Sequence, residues 1–181
     1  MVQEGLEYGP AKRRAVRQLG LSQRTPLPCN EDVDNAVREY IAVFCAETQH
    51  QELQSLRRLA LLWMERLASF RPHLSGAVWH GTATRLSDIY IHLYCDDEKS
   101  AEMALIDLGV NYRASTVNAA RKTPVNALSV HAYCAPLGVV VGIHLLVHDH
   151  DDLRGAMRSG AAGCPPLGDL GAVRRLVDEF E

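Results

Sequence analysis

The sequence predicts a mixed α/β fold of the α+β type. Three observations carry this: apolar stripes of helical period in the N-terminal half, a strictly alternating segment at residues 89–94, and two β-rich runs flanking an Ala-Pro-Leu-Gly turn near residue 136. The chain has 181 residues, 47% hydrophobic and 23% charged, which is an ordinary globular balance and enough length for one core without disulfides or a structural metal. Residues 1–28 read as an N-terminal arm and residues 29–181 as a single globular domain.

Pro10 suits a first helical turn and Gly20 a helix end, so residues 11–19 are expected to form a short helix bearing Lys12, Arg13, Arg14 and Arg17. After a breaker stretch at residues 25–28, Asn30 can cap a second helix with Glu31 and Asp32 in its first turn and Val33, Val37, Ile41 and Phe44 as its stripe. A longer helix follows, in which Leu53, Leu56, Ala60, Trp63, Leu67 and Phe70 step by three and four until Arg71-Pro72. That stripe fits packing on a sheet, and it also offers a seam for a homodimer.

Residues 76–79, Gly-Ala-Val-Trp, read as a short strand, and residues 89–94, Ile-Tyr-Ile-His-Leu-Tyr, as a half-buried one. Asp96 or Asp97 can cap the next helix, whose Ala101, Ala104, Leu105 and Leu108 face inward before Gly109. Residues 110–117 make a further strand, and residues 128–134 and 139–147 pair as a hairpin. The tail is expected to hold a short helix from about Asp152, a Gly/Pro-rich loop at 159–168 and a last helix at 169–180.

Composition excludes several classes. A formal net charge of -3 provides no general field for nucleic acid or an anionic membrane, so nucleic-acid binding is not expected. Residues 139–147, interrupted by His144, are too short to span a bilayer, and no secretory signal opens the chain, which points to the cytoplasm. The five cysteines never form a CxxC pair and read as reduced thiols. Neither a GxxxxGK[ST] phosphate loop, a GxGxxG turn nor a GxSxG elbow occurs.

Alternation gathers the polar chemistry. With Ile89, Ile91 and Leu93 inward, Asp88, Tyr90, His92 and Tyr94 share the other face; with Leu128, Val130 and Ala132 inward, Ser129, His131 and Tyr133 join them. The hairpin turn sets Ser129 opposite His144, with His148 on the same side. Asp88, His92, His131 and His144 are oxygen and nitrogen donors of the kind that suits Zn²⁺; the alternatives are ordinary hydrogen-bonded histidines and a solvated or helix-covered sheet face. In the run from His148 to Asp152, Asp151 and Asp152 fit a helix start, while His148, Asp149 and His150 are free for a metal or for closing a cleft.

The segment Gly-Ala-Val-Trp-His-Gly-Thr-Ala-Thr-Arg-Leu-Ser-Asp-Ile-Tyr-Ile-His at residues 76–92 resembles the nucleotidyltransferases of the polymerase-beta type, over roughly residues 53–147. That family places a Gly-Ser turn after one strand and an Asp-x-Asp pair on the next. Gly81 and Thr82 match the turn and Asp88 the first acid, while Tyr90 stands where the second belongs. The resemblance implies a mixed sheet with N-terminal helices packed on it and a C-terminal helix. It further implies a ligand site at Gly81, Thr82 and Asp88, with Mg²⁺ as cofactor if transfer is active, and the neighbouring Ser87, Tyr90 and His92 complete the candidate ligand-binding set. With one acid of the pair missing, the expectation is a degenerate nucleotidyltransferase fold that binds a nucleotide or small phosphorylated ligand. The alternatives are an active metal-dependent nucleotidyltransferase and a non-enzymatic homodimer.

Overall fold

A computed structural model describes residues 1–2, 5–6, 8–22, 24–118, 124–153 and 167–179, and the architecture below concerns these. Helix α1 spans Tyr8–Gln18, beginning earlier than Pro10 foretells, and buries none of its residues. It is tied to the next helix by Tyr8 Oη donating to Asp34 Oδ1 at 2.8 Å and by Lys12 Nζ donating to Pro28 O and Asn30 Oδ1, each at 2.7 Å. Helix α2 spans Asn30–Phe44. Its cap is Cys29 rather than Asn30: Cys29 Sγ accepts Asp32 N–H at 3.3 Å, and Asp32 Oδ2 accepts Cys29 N–H at 3.0 Å. Asn30 is diverted to Lys12. Val37 and Ile41 of the α2 stripe are buried, whereas Phe44 is exposed.

Helix α3 spans Gln49–Arg66 and ends before Phe70, which sits in a single 3₁₀ turn at Ala68–Phe70. Leu56, Ala60, Trp63 and Leu67 are buried with the inward residues of the sheet in one cluster, so this stripe packs into the core. Strand β1 is His73–Ser75, and residues 76–80 form the helix α4 (Gly76–His80) where the sequence reads as a strand. The reason is backbone geometry: Gly76 at φ 68 ends β1, and one α-turn then buries the consecutive Val78 and Trp79, which a strand would send to opposite faces. Trp79 packs against Gly168, where an added Cβ would stand 2.2 Å from its ring.

Strand β2 (Ile89–Cys95) leads into helix α5 (Glu98–Asp107), capped by Asp97 Oδ1 on Lys99 N–H at 3.1 Å. Ala101 and Leu105 of α5 are buried, and Leu108 lies outside the core. Strands β3 (Tyr112–Asn118), β4 (Pro124–Cys134) and β5 (Val139–Asp149) follow, with a 3₁₀ turn at Ala135–Leu137 and Gly138 at φ 65 closing the β4–β5 hairpin. The two-residue β6 (Gly168–Asp169) ends in Asp169, whose carboxylate caps helix α6 (Leu170–Asp178) by accepting Ala172 N–H at 2.7 Å. Most of the short helix expected from Asp152 and of the Gly/Pro-rich loop falls in residues 154–166, outside the described residues.

The six strands form one sheet in the order β3-β4-β5-β2-β1-β6. Only β2 and β5 run parallel, joined by α5 and the β3–β4 strands; the other neighbours are antiparallel. Ile89, Ile91, Leu93, Leu128, Val130, Ile143, Leu145 and Val147 are buried in one cluster with Leu56 and Met64 of α3, Leu105 of α5 and Val173 of α6. The fold is therefore α+β, a mixed sheet with helices gathered on one face and a C-terminal helix among them. Among the described residues no helix is long and apolar enough to cross a membrane.

Candidate functional site

The strand registers stack side chains of the non-core face into transverse rows. One row crosses five strands: Arg113 of β3 is opposite Ser129 of β4, Ser129 opposite His144 of β5, His144 beside Tyr90 of β2, and Tyr90 opposite Ser75 of β1. A row on one side holds His131, Gly142 and, by extension of β2, Asp88; a row on the other holds His92 and His73.

Asp88, Ser129 and His144 form a continuous hydrogen-bonded chain. His144 Nε2 is 3.3 Å from Asp88 Oδ2, and His144 Nδ1 is 2.9 Å from Ser129 Oγ. Asp88 Oδ1 accepts Gly142 N–H at 3.1 Å. A Cβ on residue 142 would lie 2.6 Å from Asp88 Oδ1, so any larger residue there would displace the carboxylate from this position. A carboxylate accepts, so with a neutral imidazole the His144 proton lies on Nε2 and Nδ1 is left to accept from the Ser129 hydroxyl. The side chains of Asp88 and His144 are 44% and 27% exposed, so solvent and solutes reach them. Tyr90 stacks on His144 with centroids 4.9 Å apart.

A second cluster lies toward β1. His92 Nδ1 is 2.8 Å from His148 Nε2, and His92 Nε2 is 3.0 Å from Ser75 Oγ. Ser75 directs its hydroxyl to Tyr90 O at 3.4 Å, which sets the order of donors as His148 to His92 to Ser75. The His92 and His148 rings lie nearly parallel, 16° apart with centroids 4.9 Å apart, side by side along that bond; Tyr94 stacks on His148 at 5.3 Å, and His73 meets Tyr94 edge-on at 5.5 Å. Burial, with the neighbouring His148 and His73, pushes His92 from 6.5 down to about 3, so its ring is neutral.

Of the residues singled out by sequence, Asp88, Tyr90 and His144 come together, and His92 stands one row away with His148. His131 shares the face but is exposed across from Gly142, and among the described residues no three His, Cys, Asp or Glu side chains converge as a metal site. Gly81 and Thr82 lie at the end of α4: both amides donate to Ala77 O, and Thr82 Oγ1 is buried with no hydrogen-bond partner. Ser87 is buried in a turn, its Oγ accepting Thr84 N–H at 3.1 Å. His148, unassigned in the acidic run, is explained by its bond to His92. Sequence reasoning overlooked Arg113, Ser75 and Gly142. A glycine inside the apolar β5 was a legible signal of close approach; Arg113 and Ser75 had none, since their places depend on strand ends and registers. Comparison with known proteins finds no matching family model, no matching curated protein and no matching solved structure.

Proposed function

We propose that the protein binds a nucleotide or another small phosphorylated ligand on this polar face, as a nucleotidyltransferase-like chain without two-metal transfer. The row from Arg113 through Ser129 and His144 to Tyr90 carries the reading. Arg113 offers a planar, permanently charged fork for phosphate oxygens, and Ser129 adds a hydroxyl. The Tyr90–His144 stack presents ring surface for a base. Asp88 does not oppose this strongly, because both its oxygens already face donors.

The donor set argues against a Mg²⁺ clamp. Two-metal phosphoryl chemistry needs several carboxylate oxygens converging, whereas Tyr90 replaces one acid and Asp88 is engaged by Gly142 and His144. What the chain's own residues can do is bind and orient: phosphate against Arg113, base against Tyr90.

Titration calorimetry of the full chain with ATP, ADP and AMP, each with and without Mg²⁺, tests this. Saturable binding without Mg²⁺, weakened about tenfold or more by Arg113→Ala, is expected, given ~1.4 kcal/mol per decade. Absence of heat at millimolar nucleotide removes the reading. Pyrophosphate release that needs Mg²⁺ and vanishes in Asp88→Ala would replace it with active nucleotidyl transfer.

A further inference from the structure

We propose that Ser129 is a base-activated nucleophile, with His144 as its general base, Asp88 as the group that orients the base, and activated carboxylic esters as the substrate class. The inference does not rest on phosphate binding. It rests on a chain of contacts: Gly142 N–H to Asp88 Oδ1 at 3.1 Å, His144 Nε2 to Asp88 Oδ2 at 3.3 Å, and Ser129 Oγ to His144 Nδ1 at 2.9 Å, which a neutral His144 carries as Ser129 O–H to Nδ1 and Nε2–H to Asp88. A nucleophile hydrogen-bonded to a base, and the base to an acid that holds its tautomer, is the arrangement that activates serine whatever the surrounding fold. The residues occur in the chain order Asp88, Ser129, His144, outside any GxSxG context, so only the β2–β5–β4 pairing brings them together.

Two further features serve the chemistry. Tyr90 stacks on the imidazole of His144 and limits its rotation. Arg113, directly across from Ser129 on β3, is exposed and within a cross-strand neighbour's reach of the hydroxyl. Backbone amides in the middle of a sheet are taken by the ladder, so the guanidinium is the group placed to meet negative charge developing on an attacked carbonyl oxygen. The step balances without a co-reactant beyond water. His144 Nδ1 takes the Ser129 proton as Oγ bonds to the carbonyl carbon, the ester C–O bond breaks, and the leaving alcohol receives that proton from Nδ1–H. Water, deprotonated by the same nitrogen, then splits the acyl-serine to acid and free Ser129.

The test is covalent labelling of the full chain with an alkyl fluorophosphonate, which loses fluoride to the attacking oxygen, with intact-mass and peptide-mapping readout. Esterase activity on p-nitrophenyl acetate is followed in parallel. One adduct at Ser129 is expected, absent in Ser129→Ala, slowed about 100-fold or more by His144→Ala and by a smaller factor in Asp88→Asn. Arg113→Ala should slow ester turnover while leaving the hydrogen-bonded chain in place. Thermal melting identifies any variant that fails to fold. In that event Ser129→Cys supplies the second arm: its thiol should react with iodoacetamide in a pH profile that Asp88→Asn shifts. No adduct on folded protein, an adduct spread over other hydroxyls, or labelling unchanged by His144→Ala overturns the proposal.

Discussion

His92 is a neutral imidazole enclosed by others. Its ring meets His148 and Ser75, with His73 near enough to oppose its ionisation, and it accepts through Nδ1 while donating through Nε2. The unfolded chain ionises this histidine near 6.5, the folded chain only near about 3. Between those values the unfolded state holds the extra proton, so acidification favours unfolding. Stability contributed by His92 is complete above pH 6.5 and is lost as pH falls toward 3, with a slope of at most about 1.4 kcal/mol per pH unit. Melting temperatures of wild type and His92→Gln across this range check it, and the variant should show the shallower fall. Had the two fallen in parallel, His148 or another group would be the one titrating. The sequence made the shared face of His92, His144 and His148 legible through alternation. It did not reveal that they divide into two clusters, since that depends on β2 and β5 lying side by side, 54 residues apart at the level of Ile89 and Ile143.

Elements whose signals are local were the readable ones. Alternation located β2, the four-residue turn set the β4–β5 register with Ser129 across from His144, and apolar steps located α3. The α4 segment was not readable, because Val78 and Trp79 have high strand propensity and five residues are too few to display a helical period. Gly76 decides the matter by turning the chain, and Trp79 then finds Gly168 from the far end of the sequence. That contact makes the C-terminal unit informative. Helix α6 is anchored through Val173 and Val177 and starts at a carboxylate cap. Asp169→Ala leaves Ala172 N–H without its acceptor and should lower stability by about 1 kcal/mol. Urea denaturation measures this, and Asp169→Ser or Asp169→Asn should recover most of the loss. An equal loss in all three variants would mean that the charge of Asp169, and not its capping bond, is what matters.

At the scale of the molecule, the sheet separates two kinds of chemistry. Helices α3, α5 and α6 cover one face with a continuous apolar cluster, and the other face carries the imidazoles, hydroxyls and Arg113. This division lets the polar face vary without disturbing the core, because successive side chains of a strand belong to different environments. Strand β5 offers a direct comparison at adjacent positions. Leu145 is fully buried among the core residues, while Leu146 stands partly exposed in the row of His92. Leu145→Ala creates a cavity in a packed interior and is expected to cost about 2–5 kcal/mol. Leu146→Ala removes the same atoms where solvent and flexible rings can close the gap, and is expected to cost about 1 kcal/mol or less. Guanidinium denaturation of both variants reads the difference as a shift in midpoint at constant slope. Similar losses at the two positions would mean that both faces of β5 are packed to the same degree. The open-faced reading, and with it the accessibility that both the ligand site and the Ser129 nucleophile need, would then fail together.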